Sequence, residues 1–340
     1  MEIMEKTKMR NRPRRAMVRG MDGVYHLLSR TSCRQYLFGD EEKEMFVRLM
    51  RRQAEFCGVD VLAYCVMSNH FHILARVRYE PEVSDAELMR RHRILYGGDH
   101  LGPRAIGPER LGEVFEQGGE EAQEWRERLR NRMGDVSVFM RELKQRFGIW
   151  YNHRHRNTGS IWSDRFKSLI VEPSLEAMAK VAAYIDLNPV RAELVEDPAE
   201  YRFCGYAAAM GGQKQARDGY QQIYFGREWK ETIRSYRICL FGKGYYSKGV
   251  VGKDRGRVSA ERLEQVMKRG GKLEMSEALR CRVRYFTDGM ALGSAEFLKQ
   301  LQADYGEWFP EQRKTGSAKM KGADWGELRV IRNLRVSPLA

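Results

Sequence analysis

The sequence predicts an α+β fold in which helices pack on an antiparallel sheet, with a small all-α domain at the C-terminal end. Short β-forming runs and helical runs follow one another in the order β-α-β-turn-β, which predicts the sheet domain. In the last third, three short helical stretches each begin with a serine suited to an N-cap. The length of 340 residues favours two domains, or one domain with large insertions.

The sheet domain is predicted to span residues 21–210. Period-2 and period-3.6 patterns of apolar residues define its elements, and glycine or turn signals separate them. These elements are a strand at 24–28, a helix from Asp40 to Gly58, strands at 59–67 and 70–77, a helix near 136–151, a strand at 166–171 and a helix from Ser174.

Four other segments complete the predicted organisation. Residues 1–20 form a basic arm, and the charged, Gly/Pro-spotted stretch 78–135 is expected to be a peripheral insertion of short helices. Residues 211–257, rich in Gly, Lys and Tyr, indicate a linker that contains one short helix. Residues 258–340 form the all-α domain, either a helix-turn-helix DNA reader or a helical cap that only packs. Its expected helices lie at 259–269, 276–285 and 294–305.

Charge and composition narrow the possible partners. Sixty Lys and Arg against 46 Asp and Glu give a net charge of +14, concentrated at 8–19, 141–167 and 227–257. Such a surface attracts polyanions, and nucleic acid is the natural partner. No apolar run is long enough for a membrane span, and the N-terminal residues lack the apolar core of a secretory signal. The six cysteines form no CxxC pair, which favours a reducing cytoplasm.

Two histidines alternate with apolar residues on the strand at 70–77. His70 and His72 share one face, while Phe71, Ile73 and the following alternate residues share the other. The apolar face is expected to enter the core, so both imidazoles point into whatever cleft covers the opposite face. Two such imidazoles can chelate one divalent ion, although a His-x-His pair on a strand is also often plain polar surface.

The helix that starts near Ser174 carries a tyrosine away from its apolar stripe. At about 100° per residue, Tyr184 lies far from that stripe, and Asn188 falls close to Tyr184 on the same side one turn later. Pro189 disfavours helical geometry at Asn188, so the helix is expected to end or bend there with the amide exposed. The pattern alone also fits an amphipathic helix with a surface tyrosine.

A third stretch, at 151–168, mixes cations with aromatic and hydroxyl side chains. This mixture suits phosphate contacts and base stacking on single strands, while a solvated basic loop is the alternative. Together with the N-terminal arm and two further arginines, it supplies the candidate DNA contacts. These are Arg14, Arg15, Arg30, Arg154, Arg156, Trp162, Arg165, Lys167 and Arg191.

Taken in order, these stretches resemble the single-tyrosine transposases of the HUH superfamily, in particular the REP-associated tyrosine transposases. The matching stretches are VYHLLSR at 24–30, YCVMSNHFHILARV at 64–77, LKQRFGIWYNHRHRNTGSIWSDRFKS at 143–168 and YIDLNPVRAELV at 184–195. The resemblance covers about 20–210 and implies the ferredoxin-like HUH endonuclease fold. His26 matches a family position that is not a ligand and is interpreted as structural.

The resemblance also implies a chemistry and a substrate. His70 and His72 would bind the catalytic divalent ion, Mg²⁺ or Mn²⁺, and Tyr184 would be the nucleophile that forms a 5′-phosphotyrosine link. Asn188 would complete the metal site, where related insertion-sequence enzymes have Gln. The partner would be single-stranded, hairpin-flanked DNA, handled by a monomer or homodimer in a bacterial cytoplasm near the nucleoid.

Two other functions remain open at this point. A domesticated transposase or repressor would bind DNA hairpins without cutting them, although the joint presence of both histidines and Tyr184 disfavours such decay. A metal-dependent hydrolase would need a water-activating carboxylate near the histidines, and the motif contains none.

Overall fold

The computed structural model describes residues 18, 22–79, 82–97, 106–242, 274–281, 283–305 and 316–332. These residues build a seven-stranded sheet in the order β2-β3-β1-β4-β5-β7-β6. The α+β class and the predominantly antiparallel sheet predicted from the sequence are both confirmed. The strands are β1 Gly23–Arg30, β2 Val59–Val66, β3 His70–Val77, β4 Lys167–Val171, β5 Gly289–Gly293, β6 Ala318–Lys319 and β7 Arg329–Arg332.

The helices cover the two faces of the sheet, and several short ones lie at its edges. The predicted insertion contains three of them, α2 to α4, of which α2 packs on α1. None of the described helices is both long and apolar enough to cross a membrane. The helices are α1 Asp40–Cys57, α2 Asp85–Tyr96, α3 Pro108–Gln117, α4 Gly119–Arg130, α5 Val136–His155, α6 Leu175–Asp186, α7 Asn188–Arg191, α8 Gly205–Met210, α9 Lys214–Ile223 and α10 Trp229–Phe241, followed by Met275–Arg280, Tyr285–Asp288 and Ala295–Asp304.

The alternation along β3 sends its side chains to two different layers, as the sequence predicts. Phe71 packs with a ring-centroid separation of 4.4 Å against Phe46 of α1, which in turn meets Phe147 of α5. His72, on the other face, meets Tyr184 of α6. Helices α1 and α5 therefore cover one face of the sheet, and α6 covers the face that carries the histidines.

The expectation of a separate all-α C-terminal domain is wrong. Strand β5 joins the sheet beside β4, in parallel, with Ile170 opposite Ala291 and Val171 opposite Leu292, and β7 and β6 extend it. The segment 288–293, which lies between two of the expected helices, is mostly strand β5. Of the three expected helices, the last is present as Ala295–Asp304, and the second is split into two short helices. The expected helix at 259–269 lies outside the described residues.

The linker predicted at 211–257 is largely a packed part of the fold. Helices α9 and α10 occupy most of 214–241, and the described residues end there at 242. Their tyrosines Tyr220 and Tyr236 are fully buried and both donate a hydrogen bond to the same oxygen of Asp186. These contacts tie α9 and α10 to the end of α6, so the sheet domain does not end near residue 210.

Asp186 provides a pH-dependent prediction for stability. Burial raises the pKa of this carboxyl to about 7, against the hydrogen bonds from Tyr236 and Tyr220 that lower it. The folded chain therefore retains a proton that the unfolded chain loses at lower pH. The free energy of unfolding should fall by roughly 2–4 kcal/mol between about pH 4 and about pH 8, since one pKa unit corresponds to about 1.4 kcal/mol. Chemical denaturation of the wild type and of Asp186→Asn at both pH values checks this, because the variant should lack that component; an identical pH dependence in both would contradict it.

Candidate active site

The sheet register places three histidines together on one face. His72 lies opposite Leu28 of β1, and His26 lies opposite Leu74, so His26 and His72 are diagonal neighbours across two adjacent strands. Their ring centroids are 5.0 Å apart, and those of His70 and His72 are 5.2 Å apart. His26 and His72 are buried, whereas His70 is half-buried at the beginning of β3. The cluster thus opens to solvent on the side of His70.

Hydrogen bonds determine which nitrogen of each imidazole carries the proton. The Asn69 amide nitrogen donates to the carbonyl of Arg34, so the Asn69 Oδ1 accepts a hydrogen bond from His70 Nδ1 at 2.7 Å. The Phe286 carbonyl, 2.8 Å from His26 Nδ1, can only accept. Since burial lowers the pKa of His26 to about 4, its ring is neutral, and His26 Nε2 therefore accepts from His72 Nδ1 at 2.8 Å.

The same pattern leaves a lone pair on Nε2 of His72. Burial is also the largest cause that lowers the pKa of His72 well below its usual value, which keeps this imidazole neutral. Two imidazoles whose centroids are 5.2 Å apart can reach one ion, since metal–nitrogen bonds are about 2.0–2.1 Å long. The residues present therefore fit a divalent ion at His70 and His72.

Tyr184 of α6 packs against the same histidines. Its ring centroid lies 6.1 Å from that of His72 and 6.2 Å from that of His26, both in edge-on arrangements. On another side the ring of Phe286 lies at 5.0 Å. The expectation that this phenol stays outside the core is wrong, because Tyr184 is only 3% exposed. Helix α6 is covered all round, so an angle measured from one apolar stripe could not show where the tyrosine goes.

Asn188 follows the predicted bend but is not exposed. Helix α6 ends at Asp186, and a short helix, α7, begins at Asn188. The Asn188 side chain is buried, and its amide nitrogen donates to the carbonyl of Ile185. Within the described residues no contact joins it to the histidines, and no group of three or more His, Cys, Asp or Glu side chains could hold an ion. The role of Asn188 as a third ligand stays a prediction.

Arg191 takes a different position from the one expected of a DNA contact. Its guanidinium lies over the Tyr184 ring, 4.1 Å from the centroid. One nitrogen donates to the Tyr184 carbonyl and another to the Leu279 carbonyl. Burial lowers the pKa of Arg191, because desolvation disfavours its charge. Arg191 thus holds the tyrosine helix against the C-terminal region, and its donors are directed at the protein rather than at solvent.

The remaining basic DNA candidates differ in position, exposure and pairing. Arg30, which faces His70 across the β1–β3 pair, lies at the open end of the histidine cluster. The loop that follows α5 reaches the same end of the sheet, where Thr31 pairs with Trp162. Arg156 and Arg165 are exposed on this loop, Arg154 is exposed but paired with Glu41, and Lys167 is exposed but paired with Asp288. Arg14 and Arg15 lie outside the described residues.

Trp162 packs partly into the protein, and its role as a DNA contact stays a prediction. Its ring meets Phe38, Phe71 and Phe147 at centroid separations of 5.7–5.8 Å. Its indole nitrogen donates to the carbonyl of Lys144. The half-buried ring therefore anchors the basic loop to α5, and base stacking on it would require those contacts to break.

Two residues that contribute to this site, His26 and Phe286, were not predicted from the sequence. His26 was interpreted as structural, yet it contacts His72 directly; its one available signal is a polar residue inside an otherwise apolar strand. Phe286 supplies both a ring and a carbonyl, and nothing near it in the sequence connects it with residues 260 positions earlier.

The family match described next covers the part of the chain that contains the histidine strand. Residues 21–94 match the family model described as "Transposase IS200 like". A solved structure titled "Structure of the REP associates tyrosine transposase bound to a REP hairpin" aligns with 14% identity over 58% of this chain and 84% of that chain, at a TM-score of 0.37. No curated protein matches significantly. The family match agrees with the resemblance predicted from the sequence: residues 21–94, which include the paired histidines, are similar to IS200-like transposases.

Proposed function

We propose that this protein is a transposase that cuts and rejoins hairpin-flanked single-stranded DNA, with Tyr184 as nucleophile and with Mg²⁺ or Mn²⁺ bound by His70 and His72. The observation that carries the proposal is the approach of the α6 tyrosine to the histidine strand, with the Tyr184 and His72 rings 6.1 Å apart. The match of residues 21–94 to an IS200-like transposase family supports the reaction class. The proposed setting is the cytoplasm of a bacterium, with the protein as a monomer or homodimer.

The positive charge supports the choice of substrate. Arg30, Arg156 and Arg165 lie at the end of the sheet where the histidine cluster opens. A DNA strand bound there by its phosphates would approach His70 first, because His70 is the least buried of the three histidines. Phosphate contacts of this kind position the strand without reading its sequence.

The proposed reaction exchanges one phosphodiester for another. The Tyr184 oxygen attacks the scissile phosphorus and loses its proton to solvent, a P–O bond to tyrosine forms, and the P–O3′ bond breaks. The released 3′ oxygen takes up a proton and becomes a 3′-OH. A divalent ion, when bound, supplies Lewis-acid stabilisation of the charge that develops on the phosphate oxygens. Because the phosphotyrosine link conserves the ester, a 3′-OH of another strand can reverse the step without ATP.

The burial of Tyr184 sets a requirement for this reaction and favours one alternative. With 3% of its surface exposed, the phenol must become accessible before it can meet a phosphate. The side chains of His26, His72, Phe286 and Arg191 pack against its ring, so at least one of these contacts would have to open. A non-catalytic hairpin-binding protein is the second candidate, because it would keep the tyrosine buried permanently.

A substrate comparison tests the proposal. The protein, with Mn²⁺, is incubated with end-labelled single-stranded hairpins from the flanks of its own gene and with the matching perfect duplexes, and products are resolved under denaturing conditions. We expect cleavage and a covalent protein–DNA adduct with the hairpin only, since one tyrosine acts on one threaded strand. Equal cutting of both substrates would refute the single-strand assignment, and hairpin binding without any adduct would favour the non-catalytic candidate.

A further inference from the structure

We propose that His26 is a positioning residue that fixes the tautomer of His72, and that the carbonyl of Phe286 in the C-terminal region anchors it. The inference rests on the proposed function in one respect, namely that His72 binds a metal ion. It assigns a role to a histidine that is not itself a ligand, and to a part of the chain that the family match does not cover.

Two consecutive hydrogen bonds, from His26 to Phe286 and from His72 to His26, run in one direction only. The Phe286 carbonyl has no proton to give, so His26 Nδ1 is the donor at 2.8 Å. A neutral His26 then has only a lone pair on Nε2, and His72 Nδ1 must donate to it at 2.8 Å. His72 Nε2 is left with the lone pair, which is the form that a metal ion needs.

The surroundings keep His26 in this neutral state. The ring is 0% exposed, lies in edge-on contact with Tyr184 and is hydrogen-bonded side by side with His72. A positive charge on this fully buried ring would lose its hydration, and the Arg191 guanidinium nearby would repel it.

The anchor comes from the C-terminal region, and several contacts hold it in place. Phe286 is fully buried between the rings of Tyr184 and Trp325, at 5.0 Å and 5.8 Å. Asp288, two residues later, pairs with Lys167 of β4. The residues that follow enter the sheet as β5, beside β4. The carbonyl is therefore fixed by the sheet itself, and it fixes the orientation of His26 in turn.

The first test reads the tautomers directly in the metal-free protein. Selective ¹⁵N labelling of histidine and two-bond ¹H–¹⁵N correlation spectra distinguish protonated from unprotonated ring nitrogens, and spectra of His26→Gln and His72→Ala assign the signals. We expect protonated Nδ1 and unprotonated Nε2 for both His26 and His72. A wild-type His72 with its proton on Nε2 would overturn the proposal.

The second test measures Mn²⁺ binding by calorimetry, without DNA. His26→Leu removes the acceptor for His72 Nδ1, so Nε2 can take the proton, and Mn²⁺ affinity should fall by about 10- to 100-fold, the usual cost of losing such a partner. His26→Gln places an amide oxygen where the ring Nε2 was, and should retain the wild-type tautomer of His72 with affinity within about threefold. Wild-type affinity in His26→Leu would contradict the proposal. If that variant does not fold, the wild-type spectrum and the glutamine variant decide alone.

These measurements separate the inference from the proposed function. Neither the NMR spectra nor the Mn²⁺ titration depends on DNA cleavage. Both can be repeated with the Tyr184→Phe variant, which retains His70 and His72. If the tautomers are as expected but no adduct forms on Tyr184, the nucleophile assignment fails and the role of His26 stands. If an adduct forms on Tyr184 and His72 carries its proton on Nε2, only the role of His26 fails.

Discussion

Replacing Tyr184 with phenylalanine should abolish both strand cleavage and the covalent protein–DNA adduct. The substitution removes one oxygen and preserves the ring that packs against His72 and Phe286. The loss should be on the order of 10³-fold or more, because no other group takes over from a missing nucleophile. Denaturing gels of labelled hairpin DNA, with the thermal unfolding midpoint as a check on folding, measure the effect.

Tyr151 is the matched control for this variant. It lies in the basic stretch that the sequence analysis assigned to DNA contact, but its ring stacks on His155 at 4.3 Å, on the α1/α5 side of the sheet. Tyr151→Phe should therefore leave the adduct intact and at most weaken hairpin binding. Peptide mapping of the trapped adduct should find the nucleotide on Tyr184. An adduct on Tyr151, or one that survives Tyr184→Phe, would overturn the assignment.

Replacing His70 or His72 with alanine should abolish cleavage while hairpin binding stays largely intact. Binding rests on the basic surface, whereas cleavage requires the divalent ion. Chelation by EDTA should reproduce the phenotype, and added Mn²⁺ should restore the wild type but neither variant. Gel-shift and cleavage assays on the same hairpin measure the two properties separately.

His155→Ala is the control for the histidine variants. His155 pairs with Glu42 of α1, away from the histidine cluster. The His155→Ala variant should therefore cleave the hairpin at the wild-type rate. Full cleavage by the His70→Ala/His72→Ala double variant in the presence of chelator would rule out the metal site. Loss of binding together with cleavage would instead show that these substitutions disturb the fold.

The local elements of the fold could be predicted because each is encoded over a few neighbouring residues. The alternation of His70, Phe71 and His72 assigns opposite faces of β3 without any knowledge of its neighbours. Ser174 and Ser294 cap the helices that follow them, as expected, by accepting from Ala177 and Phe297. Each of these features depends on contacts within one strand or one turn.

The long-range features could not be predicted, and two glycines show why. Gly219 was part of the evidence for a linker, yet a Cβ there would lie 2.7 Å from the carbonyls of Val61 and Leu62. Gly293 lies between two of the expected helices, yet a Cβ there would lie 2.6 Å from the Phe297 ring. Both glycines allow close approach of two elements, and a sequence pattern does not distinguish this from chain flexibility.

The candidate site could be predicted only where it depends on residues close together in the sequence. The proposed ligand pair is local to one strand, and the proposed nucleophile was assigned through the resemblance. The burial of Tyr184 depends on Phe286 and Arg191, and the orientation of His26 depends on a carbonyl 260 residues away. Such contacts are determined by how the sheet is assembled, which short patterns do not encode.

The position of β5 beside β4 has a consequence for the order of events during synthesis. The histidine strands and the tyrosine helix leave the ribosome well before Phe286 and β5, because the chain emerges from its N-terminal end. Until then His26 has no carbonyl to donate to, and Tyr184 lacks the ring that covers it. A nascent or prematurely terminated chain would therefore hold the ligand pair without its anchor.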